Sequence, residues 1–346
     1  MPITSALFGY TKDGQAVTQY TMTNRNGMTV QVISYAASIR SILVPDREGK
    51  LVDVVLGYDT VAGYEADKCF FGNFVGRFAN RLRAAQFQLD GVTYQLQPNE
   101  GPNHLHGSYC SRVLEGEIED NTLSFEFLSP DGEEGYPGNL SVRYSYTLNE
   151  DNTLVLEYRA VTDKPTIVNL TNHAYFNLNG HSSGNVLDTQ LQINASQITE
   201  ADGASLLTGK ILPVEGTPFD FRTPKTIGQD IAAHHPMITY GGGFDLNYVL
   251  DQPSMEAPAA TARSPKTGIT MDYFTTQPGT QFYSGNFISP IAPRKCKDGA
   301  MYDNRQGFCL ESQHYPCAPD FDHFPTTVLR PGEEYHQLAA YRFGVK

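Results

Sequence analysis

Four short polar clusters hold the side chains of this chain that are best suited to chemistry. Gly76-Arg77-Phe78-Ala79-Asn80-Arg81 sets two arginines and an asparagine among small and aromatic residues. Arg81 offers a planar fork of N–H donors that suits hydroxyl groups, and equally suits structural bonds to carbonyls. In Gly101-Pro102-Asn103-His104-Leu105-His106-Gly107, a strand would point His104 and His106 to the same face. That spacing fits metal ligation, direct bonding to a ligand, or two structural histidines. A cupin-type metal site on this pair would need a carboxylate a few residues on, and Gly107-Ser108-Tyr109-Cys110-Ser111-Arg112 supplies none. The third cluster is Thr171-Asn172-His173-Ala174-Tyr175-Phe176-Asn177. Imidazole is the one side chain that ordinarily titrates near neutrality, so His173 is a candidate general acid or a buried, hydrogen-bonded histidine. The fourth joins Gly241 to Asp245, Thr276 to Asn286 (with Gln281) and Gly307 to Gln313. Asp245 and Glu311 are lone acids in apolar or glycine-rich company. Burial raises a carboxyl pKa, which is how a glutamate becomes a useful base.

Short strands must position these clusters. TVQVISY (29–35), AQFQLDGVTYQLQ (85–97) and TLSFEFLSPDG (122–132) alternate apolar and polar residues, and SVRYSYTLNEDNTLVLEYRAV (141–161) reads as two strands about a turn at 149–152. Asp90-Gly91 marks a hairpin turn. The best helix candidate, IAAHHPMI (231–238), is interrupted by Pro236, and 251–268, rich in Pro and Ala, reads as a surface loop. No linker or fixed-period repeat appears. The expectation is one all-β domain over 1–346, a large antiparallel sandwich with a concave face for a ligand.

Composition narrows the partners. A net charge of −13 disfavours nucleic acid and anionic membrane surfaces, and no 18-residue apolar run suggests a membrane span. Five dispersed cysteines without a CxxC read as thiols in a reducing compartment. The N-terminal residues lack a signal-peptide pattern. The sequon at Asn169 lies four residues from His173, where a glycan would obstruct a site, so a cytoplasmic location is expected. The 20 tyrosines and 19 phenylalanines suit sugar faces, and they also simply favour strands.

Taken together, the segments resemble the galactose mutarotase (aldose 1-epimerase) family. The matching pieces are GRFANR (76–81), GPNHLHG (101–107), DGEEGYPG (131–138), TNHAYFNL (171–178), GGFD (242–245), TTQPGTQFYSGNF (275–287), GFCLESQ (307–313) and LRPGEEY (329–335), in the family's order along nearly the whole chain. The resemblance implies an all-β, large antiparallel sandwich of the galactose mutarotase-like (supersandwich) type, an open sugar groove, and neither cofactor nor metal. It places the general acid on His173 and the general base on Glu311. Sugar-binding roles fall on Asn80, Arg81, His106, Asp245 and Gln281; His104 receives no clear role. The chain departs from many relatives at Ser108, where they carry a second glycine.

The implied substrate is a free monosaccharide such as galactose or glucose, acted on by a monomer or weak homodimer. Anomerisation breaks C1–O5 while O5 gains a proton and the C1 hydroxyl loses one. Glu311 would take the second as protonated His173 supplies the first. Rival readings are a glycoside hydrolase using Asp245 and Glu311, a hexose-6-phosphate 1-epimerase, and a non-catalytic sugar binder of the same fold.

Overall fold

The computed structural model describes residues 2–289, 291–292 and 295–346. Alternation of apolar and polar residues decides most of it. In Leu140–Leu148 (LSVRYSYTL), Leu140, Val142, Tyr144, Tyr146 and Leu148 are buried while Ser141 and Arg143 face out. Thr153–Thr162 repeats the pattern and pairs with it antiparallel around the expected turn, where Asn152 takes a φ of 62°. The Asp90-Gly91 turn also forms, with Leu89 opposite Val92 and positive φ at both turn residues, as a two-residue hairpin requires.

Among the described residues the strands make one nine-stranded and two five-stranded antiparallel sheets, with several two-stranded ribbons. The nine-stranded sheet runs in space from Gly116–Glu119 through Thr122–Ser129, Leu140–Leu148, Thr153–Thr162, Tyr335–Val345, Ile269–Thr275, Ala260–Arg263 and Gln190–Ile193 to Lys225–Thr226. The C-terminal strand thus sits in its middle. The N-terminal sheet follows chain order from Thr4–Tyr10 to Leu51–Asp53. The third sheet orders Leu207–Pro213, Gln197–Ala201, Asp245–Val249, Gly279–Tyr283 and Cys309–Gln313. A continuous apolar core joins all three, from Val30 and Ile42 through Tyr144 and Leu156 to Leu246 and Phe282. Many aromatics serve this core: Phe74 stacks on Tyr144 at 4.3 Å, and Tyr144 on Tyr158 at 4.9 Å. The fold is the expected all-β sandwich.

Two local expectations change. Residues 260–263 are a strand, not loop, because Ala260 and Ala262 alternate inward between Thr261 and Arg263. Pro236 starts a helix rather than interrupting one. Pro236–Gly241 carries proline in its first turn, where no N–H is needed, and the His235 ring accepts from the Met237 N–H as an N-cap.

The two arginines of GRFANR part company. Arg77 is 1% exposed and donates to the carbonyls of Ser129, Pro137 and Gly138 and to the Ser129 and Thr166 hydroxyls. It ties the 129–138 turn to the inner strands and is structural. Arg77→Ala should therefore cost about 3–5 kcal/mol, since it strands several buried acceptors. Urea unfolding midpoints would check this; a loss under 1 kcal/mol would refute the role.

Candidate active site

The third sheet builds one wall of a groove. Its register places Asp245 opposite Tyr283, Asn247 opposite Gln281, and Gln281 opposite Glu311. Cross-strand partners share a face, and so do residues two apart on a strand. Asp245, Gln281, Tyr283, Cys309 and Glu311 therefore project together, while Leu246, Phe282 and Leu310 enter the core. Polar residues at alternate positions of three buried strands are the sequence feature that makes this wall.

The opposite wall comes from loops. Thr171–Asn172 pairs with Phe74–Val75, and just beyond it the His173 backbone is fixed on both sides: its N–H donates to the Asn73 carbonyl and its carbonyl accepts from Gly72. The ribbon of Arg81–Leu82 with His104–Leu105 supplies Asn80, Arg81 and His106. All seven expected residues come together here except that Gln281 stands one layer behind the groove lining of about 280 Å³. A roomier hollow near Arg83, Gln88 and Phe321 gathers neither histidine nor glutamate.

The centre of the groove is a pair. His173 Nε2 lies 3.6 Å from Glu311 Oε2, and the two side chains are 6% and 3% exposed. Glu311 Oε2 has no hydrogen-bond partner among the described residues. A buried carboxylate oxygen left unmatched is costly unless a ligand completes it. Burial, helped by the nearby Asp245 charge, pushes the Glu311 pKa well above the usual carboxylate range. Burial pushes His173 down to about 4. Both shifts move the pair's proton from imidazole toward carboxyl, so the resting pair is carboxyl with imidazole rather than the carboxylate with imidazolium that the chemistry suggests. The ring of His173 stacks on Tyr175 at 5.0 Å, and its Nδ1 meets Cys309 Sγ at 3.6 Å.

His104 and His106 do not share a face, contrary to the strand expectation. The strand ends at Leu105, and His106 adopts a φ of 64°. His104 turns inward, bonds the Gln97 carbonyl through Nδ1 at 2.7 Å and packs on Tyr136, so it is structural. His106 turns into the groove, 5.2 Å ring to ring from His173. Its Nδ1 accepts the Asn80 backbone N–H at 3.2 Å, which puts the proton of the neutral ring on Nε2. His106 is thereby a donor to whatever occupies the groove.

That tautomer bears on metal. His106, His173 and Glu311 bring ligand atoms within 4.8 Å of one another. A cation on His106 Nε2 would force its proton onto Nδ1, against the Asn80 N–H. The set suits a polyol better than a metal.

Arg81 also differs from expectation. The Nε/Nη2 edge of its fork is not open to hydroxyls: those two nitrogens grip Glu100 at 2.8 and 2.6 Å. Asp245 accepts from Gln281 Nε2 at 2.6 Å, and burial raises its pKa against the pull of Arg81. Glu100, Phe70, Tyr175, Tyr283 and Cys309 also belong to the site, beyond the residues the sequence points to. Phe70 packs on both His106 and His173, at 4.8 and 5.8 Å. Tyr175, Tyr283 and Cys309 lie inside recognised segments and Glu100 one residue before one. Phe70, in the apolar run CFFG, gave no signal.

An aldose 1-epimerase family model matches residues 18–342. The chain belongs to the aldose 1-epimerase family. It is 40% identical to the galactose mutarotase of Bos taurus over 99% of both chains, and 34% identical to the aldose 1-epimerase of Escherichia coli K12 over 96% of both. The crystal structure of an aldose epimerase homologue from C. elegans superposes with a TM-score of 0.86 at 32% identity, covering 94% of this chain and 98% of that one. A galactose 1-epimerase from Lactobacillus acidophilus also gives 0.86, at 28% identity, covering 99% of this chain and 98% of that one. The chain is thus an enzyme of carbohydrate epimerisation. Membership argues against the glycoside hydrolase reading, and so does geometry. Hydrolases need carboxylates flanking a bond from two sides, whereas Asp245 and Glu311 rise from one face of one sheet. Among the described residues no helix is long and apolar enough to cross a membrane.

Proposed function

We propose that the groove binds a free aldohexose, such as galactose or glucose, and interconverts its α and β anomers with Glu311 as base and His173 as acid. One observation carries this reading: a buried, unmatched Glu311 oxygen 3.6 Å from His173 Nε2. The sugar's C1 hydroxyl would supply the missing partner. Glu311 takes the O1 proton while His173 gives one to O5. The C1–O5 pair leaves with O5, C1=O1 forms, and the ring opens to the aldehyde. Rotation about C1–C2 presents the other carbonyl face, and the steps reverse. One proton enters and one leaves the substrate, so the pair ends as it began after closure. Each positioned transfer contributes about 10²–10⁴-fold. Asn80, Arg81, His106, Asp245 and, from behind, Gln281 hold the remaining hydroxyls or the groups that touch them, fixing O5 toward the acid.

A hexose 6-phosphate fits less well, because the Nε/Nη2 edge of Arg81 is committed to Glu100 and, among the described residues, only the exposed Lys68 adds a cation to the lining. The enzyme acts as one unit over 1–346, a monomer or weak homodimer. A cytoplasmic setting accords with the absence of any disulfide among the described residues. Polarimetry on freshly dissolved α-D-galactose and α-D-glucose tests the reading. Acceleration of the decay to anomeric equilibrium is expected, and a rate equal to buffer for every free sugar would overturn it.

A further inference from the structure

Glu100 stands beside the proposed site without a part in the reaction. It lines the same groove as Arg81, His106, Asp245 and Glu311. Its carboxylate meets Arg81 through two parallel hydrogen bonds, Oε2 to Nε at 2.8 Å and Oε1 to Nη2 at 2.6 Å. The arginine side chain is 16% exposed and the glutamate 35%, so the pair is neither fully solvated nor sealed in the core.

The backbone beneath Glu100 is fixed as firmly as the pair. Its N–H donates to the Asn103 carbonyl at 3.1 Å and its carbonyl accepts from Asn103 at 2.9 Å. The Asn103 side chain in turn accepts from the Ala84 N–H at 3.1 Å, just past Arg81–Leu82. Arg81 therefore stands on one strand of the ribbon, beside His106, and Glu100 on the turn that leads into the other. A surface ion pair would have no such scaffold. A planar, bidentate pairing of this kind fixes both the place and the plane of the guanidinium.

We propose that Glu100 is a positioning residue for the sugar: it turns the Nε/Nη2 edge of Arg81 away from the groove, presents the Nη1 edge to a hydroxyl, and keeps the guanidinium from closing on Asp245. This rests on the anomerase reading for its substrate class. Without Glu100, Arg81 would have Asp245 as its available anion, and the hydroxyl-binding arrangement would be lost. The charge matters as well as the geometry. Arg81 pulls down the pKa of both Asp245 and Glu311, and the Glu100 charge opposes it at Asp245. Removing that negative charge should carry the pH profile of the galactose Kd to lower pH, because Asp245 then loses its proton more readily.

The test uses Glu100→Gln and Glu100→Ala in the full chain, with polarimetry for kcat and KM and calorimetry for the Kd of galactose. Glu100→Ala should raise KM and Kd about tenfold, the worth of one charge-assisted hydrogen bond, with kcat changed less than about threefold. Glu100→Gln, which keeps one acceptor, should lie between and still shift the pH profile. A purely structural role would lower the melting temperature and leave that profile in place. Unchanged KM, Kd and pH profile in both variants would overturn the proposal and leave a simple surface ion pair. If the wild type binds sugar without turning it over, the anomerase reading fails while Glu100 is still judged on Kd. If the wild type neither binds nor turns over any free sugar, both fail.

Discussion

Glu311→Gln should lower kcat by about 10²–10⁴-fold while leaving KM within a few-fold and the fold intact. The amide has the size of the carboxyl, so packing against the neighbouring strand is kept. It cannot accept a proton from the C1 hydroxyl, so the loss falls on the chemical step. Stability gives a useful control. Glu311 is 2% exposed and its Oε2 makes no hydrogen bond among the described residues, so that oxygen adds no bond that holds the sheet together. Replacing it with a neutral amide removes a buried ionisable group and should leave the melting temperature unchanged or slightly raised. Such a variant, inactive yet at least as stable, is the signature of a group kept for chemistry. Near-normal turnover in Glu311→Gln would sink the base assignment, and so would a loss of activity that merely tracked unfolding.

Strand order could not be read from residues alone, but strand character could. Alternation in 141–161 and the Asp90-Gly91 turn survive into the structure because a half-buried strand and a two-residue hairpin are local decisions. The placing of Tyr335–Val345 between Thr153–Thr162 and Ile269–Thr275 joins segments far apart in sequence, and no local rule reaches it. Residues 260–263 misled for a related reason. Alanines carry little apolar signal, and only the neighbouring strands make them core.

The site follows the same division. His106 and His173 are legible through their segments, since glycine and asparagine turns beside a histidine leave a mark, whereas Glu311 is a lone acid among apolar residues and takes its expected role from the resemblance. What each does depends on partners that sequence does not display. His104 and His106 differ in role because one residue takes positive φ, and Arg77 and Arg81 differ because one meets carbonyls and the other Glu100. The protonation of the central pair depends on burial from both walls together. Neither wall contains that information alone.

His173→Gln should also cost about 10²–10⁴-fold in kcat, and its pH profile should change shape rather than simply fall. The wild-type pair works with one proton shared between two groups. Its active arrangement, carboxylate with imidazolium, and its resting one, carboxyl with imidazole, carry the same charge, so pH does not alter their ratio. Activity falls when a second proton arrives, which the His173 value of about 4 places at acid pH. It falls again when the last proton leaves, which the raised Glu311 pKa places well above the ordinary carboxylate range. In His173→Gln the acid limb near 4 has no group to report. The residual reaction then needs only ionised Glu311, with water as the acid, so it should rise through the pH range where the wild type declines. Adding Glu311→Gln should lower the rate far less than the product of the single losses, because either change alone already disables the pair. Independent, multiplicative losses, or a single variant that keeps the wild-type bell, would mean that His173 and Glu311 do not act on one substrate in one step.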